Sequence, residues 1–184
     1  MRLFVGFLAP PELRRHITAL LERVPHKPYG LKEITPESWH VTLTFLGEAN
    51  ETNLPELAIR LKRWSEQASK ISLALKQFET FPIKHPRYLV GQFDVSIEKE
   101  RFAKEVDRLR EMLSVYVSDI DRKPWSPHMT LEKTTHRQRL PRWECAIEAI
   151  EWLPEGVSLV KSVSGPQGSE YTPIQTFPWI QKTT

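Results

Sequence analysis

Trp39-His40-Val41-Thr42-Leu43-Thr44-Phe45 is the stretch on which the predicted fold and function both depend. Polar and apolar side chains alternate along it, which is typical of a β-strand with one buried face. Side chains two residues apart in a strand point to the same side. We therefore expect two faces, with Val41, Leu43 and Phe45 on the apolar one and His40, Thr42 and Thr44 on the polar one. An imidazole and a hydroxyl would then lie side by side.

The pattern recurs in the second half of the chain as Pro127-His128-Met129-Thr130-Leu131. A third His-x-Thr, His16-Ile17-Thr18, lies within a predicted helix, where residues two apart are about 200° apart around the axis. We interpret His16 as a partly exposed helical residue. Histidine and threonine also occur commonly on the polar face of a sheet, so the tripeptide alone is weak evidence. Two copies on strands in matching halves favour a shared site.

Hydrophobic periodicity divides the chain into strands and helices without a long linker. Each His-x-Thr strand follows an earlier strand and one amphipathic helix, which indicates a faint internal repeat. We expect an α+β fold of two lobes, with two antiparallel sheets and outer helices related by pseudo-two-fold symmetry around an active-site groove. Residues 1–184 would form one two-lobed domain. Other predicted elements are strands at Arg2–Leu8, Ile71–Lys76, Arg87–Phe93, Val157–Val163 and Tyr171–Ile180, helices after Pro10, Asn53 and Ser96, and a short helix containing Trp143, Ile147 and Ile150.

The composition is that of a soluble globular protein. The 184 residues are 40% hydrophobic and 27% charged, with a formal net charge of +3. This mild basic excess permits a phosphate-bearing ligand but does not require one. The single cysteine, Cys145, rules out an internal disulfide framework, and we interpret it as a small structural residue on a helix. No apolar run is long enough for a secretory signal or a membrane span, so we expect a cytoplasmic monomer without membrane association.

Two imidazoles that face each other across a groove suit concerted acid–base catalysis, because the pKa of histidine lies near neutrality. Hydrolysis of a phosphodiester needs this division of labour, with one histidine activating water and the other protonating the leaving oxygen. The hydroxyls of Thr42 and Thr130 could donate hydrogen bonds to the phosphate oxygens. Metal binding is a rival interpretation, since Glu48 and Glu132 lie nearby, but neither motif contains the second histidine or cysteine that typical sites use. The acid–base chemistry requires no metal and no nucleotide cofactor.

The paired motifs resemble those of the two-histidine phosphoesterase superfamily. More narrowly, the chain resembles the bacterial and archaeal RNA 2′,3′-cyclic phosphodiesterases that are also called 2′-5′ RNA ligases. The similarity runs nearly from end to end and is carried by these segments: Arg2-Leu3-Phe4-Val5, Leu8-Ala9-Pro10, Trp39 to Glu48, Pro127 to Leu131, and Tyr171-Thr172-Pro173.

The resemblance implies a bilobal fold and conversion of a terminal 2′,3′-cyclic phosphate on RNA to a 2′-phosphomonoester. It implies that His40 is the proton donor and His128 the proton acceptor, while Thr42 and Thr130 hold the phosphate. The symmetry of the sequence alone does not assign the donor and the acceptor. The RNA itself is left open, with tRNA fragments, degradation intermediates and cyclic mononucleotides all compatible.

The chain departs from the family pattern at two positions. Lys133 stands where the family commonly has arginine, and strict alternation would turn its side chain away from His128. Trp125-Ser126 replaces a Phe-His pair that is frequent in the family before the second motif. Trp125 could stack on a base, as aromatic residues do with single-stranded RNA, or could simply pack at the edge of the groove. Among the other basic residues, surface charge is the default interpretation for Lys84, Arg87, Arg122 and Lys123.

Two further functions remain compatible with the same residues. ATP-independent joining of RNA halves through a 2′-5′ bond would use the same acid and base in the reverse direction. An RNA-end binding module without turnover would keep the phosphate contacts alone.

Overall fold

The computed structural model describes residues 1–95, 99–134, 139–165 and 168–179. Ser96, predicted to cap the third helix, and Ile180, the predicted end of the last strand, lie outside these ranges. The helices are α1 (Pro11–Leu21), α2 (Leu54–Gln67) and α3 (Lys99–Leu113). The strands are β1 (Arg2–Leu8), β2 (Leu31–Glu33), β3 (His40–Glu48), β4 (Leu73–Phe81), β5 (Tyr88–Val95), β6 (His128–Thr134), β7 (Glu144–Trp152), β8 (Gly156–Gly165) and β9 (Gly168–Pro178).

Within the described residues, nine strands form a single sheet in the order β7-β4-β5-β6-β3-β1-β8-β9, with β2 paired to β6. The α+β class is confirmed, and every strand pair is antiparallel. The prediction of two separate sheets is wrong in this respect. Strands β3 and β6 are joined at Val41 and Met129, and this one backbone pair connects the two groups of strands.

The three helices supply the apolar cover for one face of the sheet. Each buries a stripe at helical spacing, and the stripe of α3 includes Phe102, Val106 and Leu109. Phe102 packs against Phe7 of β1 with a centroid separation of 6.5 Å. This core is continuous with the apolar residues of β3 and β6, including Val41 and Met129, which are fully buried. The polar side chains beside them therefore face away from the helices.

The short helix predicted around Trp143, Ile147 and Ile150 is instead an edge strand, β7, paired with β4. The pairing shifts along this ladder: Leu75 and Gln77 are two residues apart, whereas their partners Ile150 and Ala146 are four apart. Such a bulge places extra residues in one strand, which disguises the two-residue period. Cys145 therefore lies on a strand rather than a helix, as a half-buried free thiol.

None of the helices in the described part of the chain is long and apolar enough to cross a membrane. His16 lies on α1 with its side chain exposed, as its helical position predicts.

Candidate active site

Both His-x-Thr motifs line one open cavity of about 750 Å³, which we call the central cavity. The two histidines are the first residues of β3 and β6, the strands that meet in the middle of the sheet. The side chains in its wall include His40, Thr42, Phe45, Phe81, His128, Thr130, Lys133 and Tyr171. The predicted meeting of the two motifs is therefore present in the structure.

The pairing of Val41 with Met129 determines how the motifs face each other. In an antiparallel pair, the residue before Val41 lies opposite the residue after Met129. His40 is therefore set opposite Thr130, and Thr42 opposite His128. The two histidines occupy diagonal positions, which in a regular antiparallel ladder are about 7–8 Å apart between Cα atoms.

Each imidazole is oriented by a backbone carbonyl two residues earlier in the chain. Nδ1 of His40 lies 2.7 Å from the carbonyl oxygen of Ser38, and Nδ1 of His128 lies 2.8 Å from that of Ser126. A carbonyl oxygen can only accept a hydrogen bond, so Nδ1 carries a proton in both rings. The other nitrogen, Nε2, is then the one that can exchange a proton with a ligand.

Aromatic side chains fix the planes of both rings. Phe4 stacks on His40 at a centroid distance of 4.4 Å, and Tyr171 meets its edge at 4.9 Å. Phe81 packs on His128 at 4.7 Å. Sequence reasoning did not assign Phe4 or Phe81 to the site, because each lies on a strand distant in sequence from the histidine that it contacts.

Burial lowers the pKa of His40 from 6.5 to about 4. The hydrogen bond to Ser38 opposes this shift, and the neighbouring His128 adds to it. Removal from water disfavours the charged form of an imidazole. His40 is therefore neutral at pH 7 in the ligand-free protein, with an unprotonated Nε2.

Both motifs contain a β-bulge directly after the threonine. On β3, Gly6 pairs with Thr42 and Val5 with Thr44, so Leu43 is the extra residue. On β6, Val90 pairs with Thr130 and Leu89 with Glu132, so Leu131 is the extra residue. A bulge reverses the alternation of the residues that follow it.

This reversal corrects two predictions about side-chain direction. Phe45, expected on the apolar face, lines the central cavity, whereas Thr44, expected on the polar face, is buried at 1% exposure. Lys133, which strict alternation would turn away from His128, also lines the central cavity. The two bulges thus bring one aromatic and one cationic side chain into the wall, which strict alternation of the sequence does not predict.

The polar side chains that the bulges turn inward have charged partners. Thr44 accepts a 3.4 Å hydrogen bond from Nε of Arg110, a buried residue of α3. The same guanidinium donates to the carbonyl oxygen of Lys123 at 2.8 Å. Glu132 accepts from Nζ of Lys27 at 2.7 Å. These contacts connect each bulge to the surrounding structure.

Trp125 does not stack on a ligand in the central cavity. Its side chain is 6% exposed and packs against Phe102 at a centroid distance of 5.0 Å. Its indole N–H donates to the carbonyl oxygen of Thr42 at 3.0 Å. Burial of Trp125, and its absence from the wall of the central cavity, favour the packing alternative over stacking on a base. Trp125 supports the backbone of the first motif from the core side.

Of the basic residues considered from sequence, Lys123 lines the central cavity, and Lys32 joins it. Lys84, Arg87 and Arg122 are not part of its wall. Among the described residues, no group of three or more His, Cys, Asp or Glu side chains is placed to hold a metal ion.

Comparison with known proteins gives consistent matches. The profile of the family described as LigT-like phosphoesterases matches residues 8–90. The chain is 31% identical to a Thermus thermophilus protein named RNA 2′,3′-cyclic phosphodiesterase, over 96% of this chain and 89% of that protein. A Thermotoga maritima protein of the same name is 28% identical, over 86% and 82%. The crystal structure of the Thermus thermophilus protein TT0787 superposes with a TM-score of 0.80 at 26% identity, covering both chains completely.

Proposed function

The chain belongs to the LigT-like phosphoesterase family, and we propose that it hydrolyses the terminal 2′,3′-cyclic phosphodiester of RNA to a 2′-phosphomonoester without a metal ion. The observation that carries this proposal is the pair of histidines in one cavity, each with Nδ1 bonded to a carbonyl and Nε2 left for a ligand. The names of the relatives support the choice of substrate.

The proposed reaction is an in-line displacement at phosphorus. Nε2 of His128 accepts a proton from water as the water oxygen bonds to phosphorus. The bond from phosphorus to the ribose 3′-oxygen breaks, and Nε2 of His40 donates a proton to that oxygen. The products are a 2′-phosphate and a 3′-hydroxyl, with His40 left neutral and His128 protonated. Exchange of one proton with solvent at each ring restores the starting state.

Donation by His40 requires that its ring be protonated when substrate is bound. The lowered pKa disfavours this in the ligand-free cavity. A phosphodiester carries a negative charge, and an opposite charge within a few ångströms raises the pKa of an imidazole. We therefore expect substrate binding and proton uptake by His40 to be coupled. The hydroxyls of Thr42 and Thr130 would donate hydrogen bonds to the phosphate oxygens, and the ammonium of Lys133 would offset the charge that develops on them.

We further propose that the two groups of strands act as two lobes of one domain, related by pseudo-two-fold symmetry. Outward from the centre, β3-β1-β8-β9 on one side corresponds to β6-β5-β4-β7 on the other. Each motif strand follows its neighbour through one helix, and each carries a bulge after the threonine. This correspondence supports the groove expected between lobes. We also propose that the protein is a cytoplasmic monomer.

The test is incubation of the protein, in the presence of EDTA, with an oligoribonucleotide that ends in a 2′,3′-cyclic phosphate. We expect a 2′-phosphate product, and a loss of about 10²–10⁴ in rate for His40→Ala and for His128→Ala. His16→Ala is the matched control, because it removes the histidine of the helical His-x-Thr and should retain full activity. Absence of conversion by the unaltered protein, or full activity in both active-site variants, would refute the proposal. Loss of activity on chelation would revive the metal hypothesis.

A further inference from the structure

A second cavity of about 490 Å³ lies at the end of β6 opposite His128. We call it the basic cavity. One wall comes from the loop between α1 and β2, and the other from the segment that precedes β7. The side chains that matter for recognition are His26, Lys27, Tyr29, Arg139, Arg142 and Trp143.

The lining of the basic cavity contains cations and no carboxylate among the described residues. Lys27 is already paired with Glu132 at 2.7 Å. Arg139 and Arg142 are exposed, and neither forms a salt bridge within the part of the chain that the structure describes. Two guanidinium groups at one cavity, neither in an ion pair among the described residues, favour a ligand with several negative charges.

Two aromatic rings accompany these cations. The side chain of Tyr29 is 98% exposed, so almost none of its ring is covered by the described part of the chain. Trp143 is half-buried on the opposite wall. Surfaces that bind single-stranded nucleic acid combine a basic groove for the backbone with aromatic rings for the bases. The basic cavity has both components.

Both cavities border the ladder formed by β2 and β6. Lys32 and Lys133 form one pair of this ladder, and both line the central cavity. Thr134, the residue after Lys133, and Gly30, which precedes β2, line the basic cavity. His128 and Thr134 are the two ends of β6, so the basic cavity begins within about 20 Å of the catalytic histidine along the strand.

We propose that the basic cavity binds the nucleotides that precede the cyclic phosphate, so that the RNA chain runs from the histidines past Lys32 and Lys133 to Tyr29, Arg139 and Arg142. This inference rests on the proposed function, which places the end of the RNA in the central cavity. Cyclic mononucleotides would occupy only the central cavity. The basic cavity would therefore select oligonucleotides over mononucleotides.

The experiment compares a nucleoside 2′,3′-cyclic phosphate with an oligoribonucleotide of about eight nucleotides that carries the same end. For the double variant Arg139→Glu/Arg142→Glu, we expect kcat/KM on the oligonucleotide to fall about tenfold or more. Its dependence on salt concentration should become shallower by about 1.4 in log–log slope, at about 0.7 for each of the two arginine–phosphate contacts. Hydrolysis of the mononucleotide should stay within about twofold of the unaltered protein, because that substrate does not reach the arginines. Tyr29→Ala should also lower kcat/KM on the oligonucleotide alone, by about tenfold.

A matched control separates local contact from net charge. Arg63→Glu/Arg108→Glu changes the charge by the same amount at exposed positions on α2 and α3. It should leave the ratio of the two kcat/KM values unchanged. An equal effect of both double variants, or an equal loss on both substrates, would overturn the inference.

Direct binding keeps this test separate from the test of the proposed function. Fluorescence anisotropy of the labelled oligonucleotide on the His128→Ala background requires no turnover. We expect the glutamate double variant to weaken binding about tenfold or more there too. If the protein is inactive on both substrates, the proposed function fails. The anisotropy measurement alone then tests whether the basic cavity binds RNA. Competition by polyglutamate as strong as that by RNA would identify an acidic peptide site instead and overturn the RNA assignment.

Discussion

Replacement of His40 by asparagine should remove a pH-dependent contribution to stability. The asparagine amide can still donate to the carbonyl of Ser38, so the local hydrogen bond is kept while the titration is lost. In the native protein the pKa of His40 is about 4, against 6.5 for an unperturbed histidine. Between these values the unfolded chain binds a proton that the folded protein excludes.

The difference between the folded and unfolded pKa values of His40 determines the sign and the size of the effect on stability. Stability due to the neutral ring is fully present above pH 6.5 and is lost as the pH falls to about 4. A shift from 6.5 to about 4 corresponds to about 3 kcal/mol in the free energy of unfolding. We expect the unaltered protein to lose up to about 3 kcal/mol more than His40→Asn across this window. Above pH 6.5 the difference between the two proteins should be constant.

Urea denaturation of both proteins at a series of pH values measures this difference. His16→Asn is the control, because an exposed helical histidine should leave the pH dependence as it is. Parallel curves for His40→Asn and the unaltered protein would refute the argument from burial. A nuclear magnetic resonance titration of the His40 ring gives a second measurement, in which saturating phosphate should raise the pKa of His40.

Three further outcomes follow from the site. In the first, the 3′-oxygen of the substrate is replaced by sulfur. Because a thiolate leaves without a proton, His40→Ala should recover most of the rate it loses on the natural substrate, a loss of about 10²–10⁴. His128→Ala should recover little, and equal recovery would contradict the proposed roles. Trp125→Phe leaves a buried carbonyl of β3 without its donor and should cost about 1–3 kcal/mol in urea denaturation. Gly6→Ala places a Cβ 2.7 Å from a backbone oxygen of β3 and should cost about 1–3 kcal/mol with lowered activity, whereas Gly165→Ala, with 3.5 Å to its nearest neighbour, should be tolerated.

The sequence was sufficient to predict which residues meet, because strand alternation and the repeat of His-x-Thr are local signals. His40, Thr42, His128 and Thr130 share a cavity as expected. Their individual roles in catalysis remain predictions. The contacts that orient the rings were not predictable in the same way, since Phe4 and Phe81 reach the histidines only through the pairing of strands.

The wrong predictions of side-chain direction for Thr44, Phe45 and Lys133 have one physical cause. A bulge depends on how a strand pairs with its neighbour, and no periodicity within the strand reveals it. The bulges at Leu43 and Leu131 brought Phe45 and Lys133 into the cavity.

For β7, the bulge and the content of glutamate and alanine gave the sequence a helix-like pattern, so a helix was predicted there. The pairing with β4 overrides that local preference.

The single backbone pair between β3 and β6 has a mechanical consequence. A sheet normally resists bending because several backbone pairs join each strand to its neighbour. Here the single pair of Val41 and Met129 should let the two groups of strands change their relative angle. A phosphate bound by side chains of both groups would be a second connection between them and would fix this angle. We therefore expect amide hydrogens next to this pair to exchange more slowly when phosphate is bound, while those in the outer strands stay unaffected.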